Sequence, residues 1–243
     1  WGWRIPFLIA GPLGWVGLYL RKHLEDSPEF LEAPKQGQTD ATPLRSAVTR
    51  AWAALLFCVG FVVIKAVGHW TLQTFMPGYL STELHYSKLD SYAITTIGLF
   101  SVAVLVPFMG FLSAKFGRKP LMLAGCAGFI LLSYPAMMLM SRVDMLSAVL
   151  AMVMLGAFIA AFDGACSAAM AELFPTSVRY GGLSIAYNFA VAFFGGITPW
   201  FSVWLITSTG DKFSPAYYVM GAALITFLTV LRARETAGQP LKR

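Results

Sequence analysis

The chain has 243 residues, of which 57% are hydrophobic and only 12% are charged. Soluble domains carry about 25% charged residues, so this composition excludes a soluble fold. The net charge of +6 does not indicate nucleic-acid binding, because the basic residues lie in short loops between long apolar runs. In such loops they set the orientation of a membrane protein instead.

Apolar runs along the whole chain predict helices that cross a membrane. Most of them reach the roughly 20 residues needed to span about 30 Å of hydrocarbon. Only α-helices satisfy their own backbone groups at that length, and the short alternating segments of a β-barrel are absent. The sequence therefore predicts an all-α, polytopic membrane helix bundle, with helices at 3–20, 51–80, 92–113, 121–140, 146–170, 181–206 and 215–231.

A polar segment at 21–50, which contains three prolines, separates the first run from the other six. It reads as a linker, so residues 1–20 form one unit and 51–243 a six-helix bundle with a polar tail. The chain begins without Met and without a loop before its first run, and no signal peptide is evident. We expect residue 1 not to be the natural start and the chain to be a fragment of a longer protein.

Lysine and arginine predict the orientation. Thirteen of them fall on one side of the predicted bundle and four on the other, with Lys65 inside a helix. By the positive-inside rule the first side, with the C-terminus, is cytoplasmic.

Two charged residues lie at bilayer depth. Lys65 is about 14 residues from either end of its helix, which is about 21 Å at 1.5 Å per residue, too far for its side chain to reach the interface. His69 and Gln73 follow at intervals of four and share its helix face. Asp163 lies deep in another run, among small residues that allow close helix packing. Such charges are costly unless paired or facing water, so we expect a cavity lined by Lys65, His69 and Gln73, with Asp163 pairing with Lys65 or carrying a proton.

Further polar residues lie towards the ends of the predicted helices. Tyr187 and Asn188, early in the sixth run, are candidates for substrate contact or for hydrogen bonds between helices. Glu172 and Arg179 flank Pro175 in a predicted cytoplasmic loop. We expect them to form an ion pair that holds an inner gate, or a simple surface pair.

The loop GFLSAKFGRKP, residues 110–120, joins the second and third helices of the six-helix group. It resembles the signature loop G-x-L-x-D-R-x-G-R-K of the major facilitator superfamily, except that Ala114 stands where the acidic residue is usual. In that superfamily the acid ties the loop to neighbouring helix ends. The resemblance implies a gating loop formed by Gly110, Lys115, Gly117, Arg118 and Lys119, although the missing acid weakens that implication.

A second segment, AELFPTSVRYGGLSIAYNFAVAFFGGITP at 171–199, resembles the metabolite:proton symporter family, which includes proline/betaine, 2-oxoglutarate, citrate and shikimate transporters. The opening WGWRIPF and the tail RETAGQPLKR resemble the same family. This resemblance implies the sixth helix, the central loop and the C-terminal half of a transporter whose N-terminal half is missing. It also implies the bacterial inner membrane.

These features together predict proton-coupled symport of a small organic solute by alternating access. The cationic pair Lys65 and His69 favours an organic acid, with a proline/betaine osmolyte, uniport or antiport as alternatives. Protons, substrate, lipid and the N-terminal half are the expected partners, with no nucleic acid. We expect no enzyme, metal or cofactor, because no catalytic motif is present and Cys58, Cys126 and Cys166 lie singly in apolar runs. A non-transporting membrane protein is less consistent with two buried charges.

Overall fold

A computed structural model describes residues 2–23, 48–49, 51–235 and 237–238. Every regular element in these ranges is helical, as the sequence predicts. Contacts divide the chain into two units, 1–39 and 40–243. The first contains helix α1, Ile5–His23, which has Pro12 inside it.

The second unit is a bundle of six helices, each long and apolar enough to cross a membrane. They are α2 (Trp52–Thr82), α3 (Lys88–Phe116), α4 (Arg118–Met140), α5 (Met145–Leu173), α6 (Arg179–Thr209) and α7 (Ser214–Arg232). The prediction of six helices after the linker is confirmed. The first predicted span forms α1 but is not among these six.

The helix ends extend by a few residues beyond the apolar runs. Ser87 and Asp144 explain two of these extensions, because their side chains accept hydrogen bonds from the backbone N–H groups of Asp90 and Ser147. Such N-caps begin a helix before its apolar stretch. Of the predicted linker, residues 21–23 belong to α1, and 24–47 and 50 lie outside the described residues.

Two of the long helices change their winding in the middle. A π-helical turn interrupts α2 at Thr71–Phe75 and α6 at Val191–Gly195. Single π turns inside α-helices are frequent at functional sites. The turn in α2 begins two residues after His69 and contains Gln73.

Helix α5 lies at the centre of the bundle and packs against α3, α4 and α2, while α7 packs against α4 and α2. Glycine permits the closest approach: a Cβ atom on Gly164 would lie 2.6 Å from the backbone N of Gly110. Helices α3 and α5 therefore cross almost backbone to backbone, as the small residues in this run predict. On α7, the Thr226 hydroxyl accepts from the N–H of Ile64 and donates to the carbonyl of Gly60, which fixes α7 to α2.

The loop at Gly117 lies at one end of the bundle, close to the end of α5 and the end of α7. We call this end the basic end, because it carries Lys115, Arg118, Lys119, Arg179, Arg232 and Arg234.

Candidate functional site

Lys65, His69 and Asp163 form a charged cluster between α2 and α5. The Nζ atom of Lys65 donates to Oδ1 of Asp163 over 2.8 Å, and Nε2 of His69 lies 2.5 Å from Oδ2 of the same carboxylate. Each carboxylate oxygen therefore has its own nitrogen donor. The structure thus brings together three residues that the sequence singled out, and it pairs Asp163 with both of the others.

The packing of α5 fixes the position of the carboxylate. Asp163 directly precedes Gly164, whose backbone lies against Gly110 of α3. Because that approach leaves no room for adjustment, the Asp163 side chain is held on the side of α5 that faces α2. Only 9% of Asp163 is exposed, and a buried carboxylate needs such partners to remain charged.

The chemistry of Asp163 determines which ring nitrogen of His69 carries a proton. A carboxylate only accepts, so Nε2 carries the proton that lies between the ring and Asp163. The other ring nitrogen, Nδ1, lies 3.5 Å from the side-chain nitrogen of Gln73, which is long for a hydrogen bond. His69 is 28% exposed and Gln73 is exposed. A polar stripe therefore runs along α2 from the buried Lys65 to the exposed Gln73.

Tyr187 and Asn188 are both exposed on α6. Tyr187 is close enough to Lys65 for the two to interact electrostatically. Asn188 uses its amide nitrogen within its own helix, donating to the carbonyl of Ser184 over 2.7 Å. A contact of either residue with substrate stays a prediction.

At the basic end, Glu235 caps the first turn of α4. Its two carboxylate oxygens accept from the backbone N–H groups of Arg118 and Lys119, over 3.0 and 2.9 Å. In return, the Lys119 ammonium donates to the carbonyls of Leu231 and Ala233 at the end of α7. A negative charge at a helix start and a positive charge at a helix end both stabilise the helix dipole. These reciprocal bonds tie the start of α4 to the end of α7.

Sequence reasoning missed Glu235. In the superfamily signature the tying acid is expected at the position of Ala114, and here an acid from beyond the last helix binds the loop instead. The available signal was an acidic residue directly after the last apolar run, at the same end as the loop. That signal does not identify the partner, since the two segments are more than 110 residues apart.

A second connection at the basic end runs through Arg118. Its guanidinium lies 3.3 Å from Glu172 and donates to the hydroxyl of Ser113, which is another residue that sequence reasoning did not select. The expected ion pair between Glu172 and Arg179 is therefore not the one that forms. Arg179 instead donates to the carbonyl of Phe174 and the hydroxyl of Thr176. Its side chain therefore stabilises the loop between α5 and α6.

The remaining residues of the predicted gating loop have separate positions. Gly117 has a φ of 103°, a conformation that favours glycine, and it ends α3. Gly110 lies inside α3 at the crossing with α5, and the Lys115 ammonium lies 5.6 Å from the centre of the Phe116 ring. A gating role for these residues stays a prediction.

Within the described residues, no group of His, Cys, Asp and Glu side chains has the arrangement of a metal site. The three cysteines are free and buried, in keeping with their interpretation as small hydrophobic residues.

Comparison with known proteins gives the family. The model for "Sugar (and other) transporter" matches residues 32–243. The chain belongs to this family of the major facilitator superfamily. It is accordingly a multi-pass membrane protein of a family of transporters and not of enzymes.

Its relatives include transporters whose names state their substrates. The chain is 38% identical to the glycine betaine/proline/ectoine/pipecolic acid transporter OusA of Dickeya dadantii (strain 3937), over all of the chain and 50% of the relative. It is 36% identical to the proline/betaine transporter of Escherichia coli (strain K12), with the same coverage. A putative proline/betaine transporter of Staphylococcus haemolyticus (strain JCSC1435) is 32% identical over all of the chain and 52% of the relative. The chain spans about half the length of these relatives.

Proposed function

We propose that this chain forms the C-terminal half of a transporter for small zwitterionic osmolytes of the proline and betaine type, driven by protons. The N-terminal half supplies the other wall of the substrate site, and the two halves alternate access around it. The basic end faces the cytoplasm, and the protein lies in a bacterial inner membrane.

The pairing of Lys65 with Asp163 is the observation that carries this proposal. The sequence favours an organic acid because Lys65 and His69 form a cationic stripe. That preference requires a Lys65 ammonium that is free to bind the substrate. At 2.8 Å from Oδ1 of Asp163, that ammonium is already neutralised. The cluster therefore offers a substrate at most one net positive charge, and only when His69 is protonated. One such charge matches the single carboxylate of a zwitterion better than the two or three carboxylates of a dicarboxylate or tricarboxylate.

The relatives support the same substrate class. Those reported above are named for proline or betaine, and one also for ectoine and pipecolic acid. All four are compact molecules with one carboxylate and one cationic nitrogen-containing group. A binding site for such a molecule needs one weakly attracting group for each of its two opposite charges.

The test is uptake by the full-length transporter in liposomes with an imposed inward proton gradient. We would compare labelled proline and glycine betaine with citrate, 2-oxoglutarate and shikimate. Uptake of an osmolyte against its concentration gradient, abolished by an uncoupler, is expected. Accumulation of the acids alone would contradict the proposal and favour the organic-acid interpretation, and osmolyte uptake that ignores the proton gradient would indicate uniport.

A further inference from the structure

His69 differs from the other two members of the charged cluster in what it can still bind. Lys65 already carries its proton, and both carboxylate oxygens of Asp163 have donors. His69 uses only Nε2 for Asp163. The lone pair on Nδ1 faces the side-chain nitrogen of Gln73 over a long 3.5 Å contact. His69 is also the most exposed of the three, at 28% against 13% for Lys65 and 9% for Asp163.

The cost of adding a proton separates His69 from Asp163. A proton on Asp163 would remove the negative charge that holds both Lys65 and His69, and would leave a buried ammonium without a counter-ion. A proton on Nδ1 of His69 leaves both contacts to Asp163 in place and requires only that Gln73 turn its amide. It also turns the contact between Nε2 and Asp163 into a charge-assisted hydrogen bond, which is stronger than a neutral one.

Among the described residues around the His69 ring, the charged neighbours are Lys65 and Asp163. On α2 the charged neighbour is Lys65, and on α5 it is Asp163, with the neutral Cys166 beyond Lys65. From α6, which also packs against α2, the titratable group near Lys65 is Tyr187. The tyrosines of α7, Tyr217 and Tyr218, line an apolar groove with Val63 and Val67, on the opposite side of α2.

We propose that His69 carries the transported proton and that Gln73 is its positioning residue. This inference rests on the proposed function, and it revises the expectation that Asp163 is the proton carrier. The proton enters from water on one side of the membrane, binds the lone pair of Nδ1, and leaves to water on the other side. Gln73 donates to Nδ1 in the neutral state, and turns its amide to accept from it in the protonated state.

This step couples the proton to the substrate through charge. Protonation of His69 changes the net charge of the cluster from zero to plus one. The carboxylate of the osmolyte binds better to the positive cluster, and by reciprocity the bound osmolyte stabilises the protonated ring. Proton and substrate therefore move together, which is symport.

The test uses His69→Gln in the full-length transporter, because glutamine can still donate to Asp163 but does not titrate. His23→Gln is the matched control, since His23 lies at the end of α1 and its described contacts, a hydrogen bond to the carbonyl of Tyr19 and stacking on the Tyr19 ring, are both within that helix. Each protein is assayed twice in liposomes: for exchange of labelled against unlabelled proline at equal pH, and for accumulation driven by a proton gradient.

We expect His69→Gln to retain exchange at a reduced rate and to lose accumulation, while His23→Gln keeps both. Accumulation by His69→Gln at the control level would overturn the inference, as would loss of exchange in a folded variant, since the ring would then serve substrate movement in general. Absence of osmolyte exchange in the unmodified transporter would instead overturn the proposed function.

A second measurement does not depend on the stability of the variant. In the unmodified transporter, osmolyte affinity should weaken as the pH rises, by up to about tenfold per pH unit, since one proton is bound with the substrate. In Gln73→Leu, the decline in osmolyte affinity should begin at a different pH, while proline exchange is retained. An affinity independent of pH in the unmodified protein would overturn the inference.

Discussion

The ammonium of Lys65 lies 2.8 Å from the carboxylate of Asp163, a residue 98 positions later in the chain. Asp163 is buried and Lys65 is largely buried, at 9% and 13% exposure, in two helices that cross the membrane. The pair is therefore an electrostatic link between α2 and α5.

Removal of one partner at a time should have unequal effects. Asp163→Asn leaves the Lys65 ammonium buried without a counter-ion and should reduce the stability of the bundle by about 3 kcal/mol or more. Lys65→Met should cost less, because His69 still donates to Asp163. The double variant should recover most of the loss, since no isolated charge remains. Thermal unfolding in detergent, arranged as a double-mutant cycle, measures these differences, and additive effects would contradict the pair.

Gly164 should tolerate no side chain. In Gly164→Ala the new Cβ would meet the backbone N of Gly110 at 2.6 Å, and overpacking of this kind costs about 1–3 kcal/mol. We expect a lower melting temperature and a loss of transport, since Asp163 would be displaced. Gly196→Ala is the matched control, because nothing lies within 4 Å of its Cβ position. Alanine is also the better helix former, by up to about 1 kcal/mol.

The cap formed by Glu235 gives a third prediction. Glu235→Ala removes the acceptors for the N–H groups of Arg118 and Lys119 and should destabilise the start of α4 by about 1 kcal/mol. Glu235→Gln keeps one acceptor oxygen and should lose less. Hydrogen exchange of the amides at 118 and 119 reports this directly. Unchanged protection of these amides in Glu235→Ala would show that another group caps the helix.

Asp144 predicts a pH dependence at the end of the bundle opposite the basic end. Its carboxylate accepts from the N–H of Ser147 over 2.9 Å, and this bond holds the pKa of Asp144 below its usual value. Because the folded pKa is lowered, the stabilisation is complete above the ordinary pKa of aspartate. It is lost as the pH falls through the lowered value.

The comparison that isolates this effect is Asp144→Asn, which keeps an acceptor oxygen but does not titrate. Melting temperatures from neutral pH down to about pH 3 should fall less steeply for Asp144→Asn than for the unmodified protein. If the melting temperatures of the two proteins fall equally steeply with pH, carboxylates other than Asp144 cause the loss of stability in acid.

Much of the fold could be predicted from the sequence, because few kinds of backbone structure can span a bilayer. A long apolar run must be a helix, and its length follows from the membrane thickness. Spacing by four placed Lys65, His69 and Gln73 on one face, as the structure has them. The two π turns were not predictable, since the residues of Thr71–Phe75 carry no signal that separates a π turn from an α turn.

The contacts between segments that are distant in the chain were harder to predict from the sequence. Glu172 was expected to bind Arg179, which is near in sequence, yet it binds Arg118 of another helix. The acid that ties the loop at Gly117 was expected near position 114 and comes from Glu235. Both outcomes depend on which helix ends meet at the basic end, and that is set by the packing of the apolar faces.

The sequence by itself therefore determined the helices, their approximate ends and the face on which each polar residue lies, because these follow from local periodicity and from the exclusion of water by lipid. Only the tertiary structure decided that one carboxylate serves both Lys65 and His69, and so that the Lys65 ammonium already has a counter-ion. The physical reason is the glycine contact between α3 and α5. It determines how α5 sits in the bundle and therefore which side chains of α2 the Asp163 carboxylate meets.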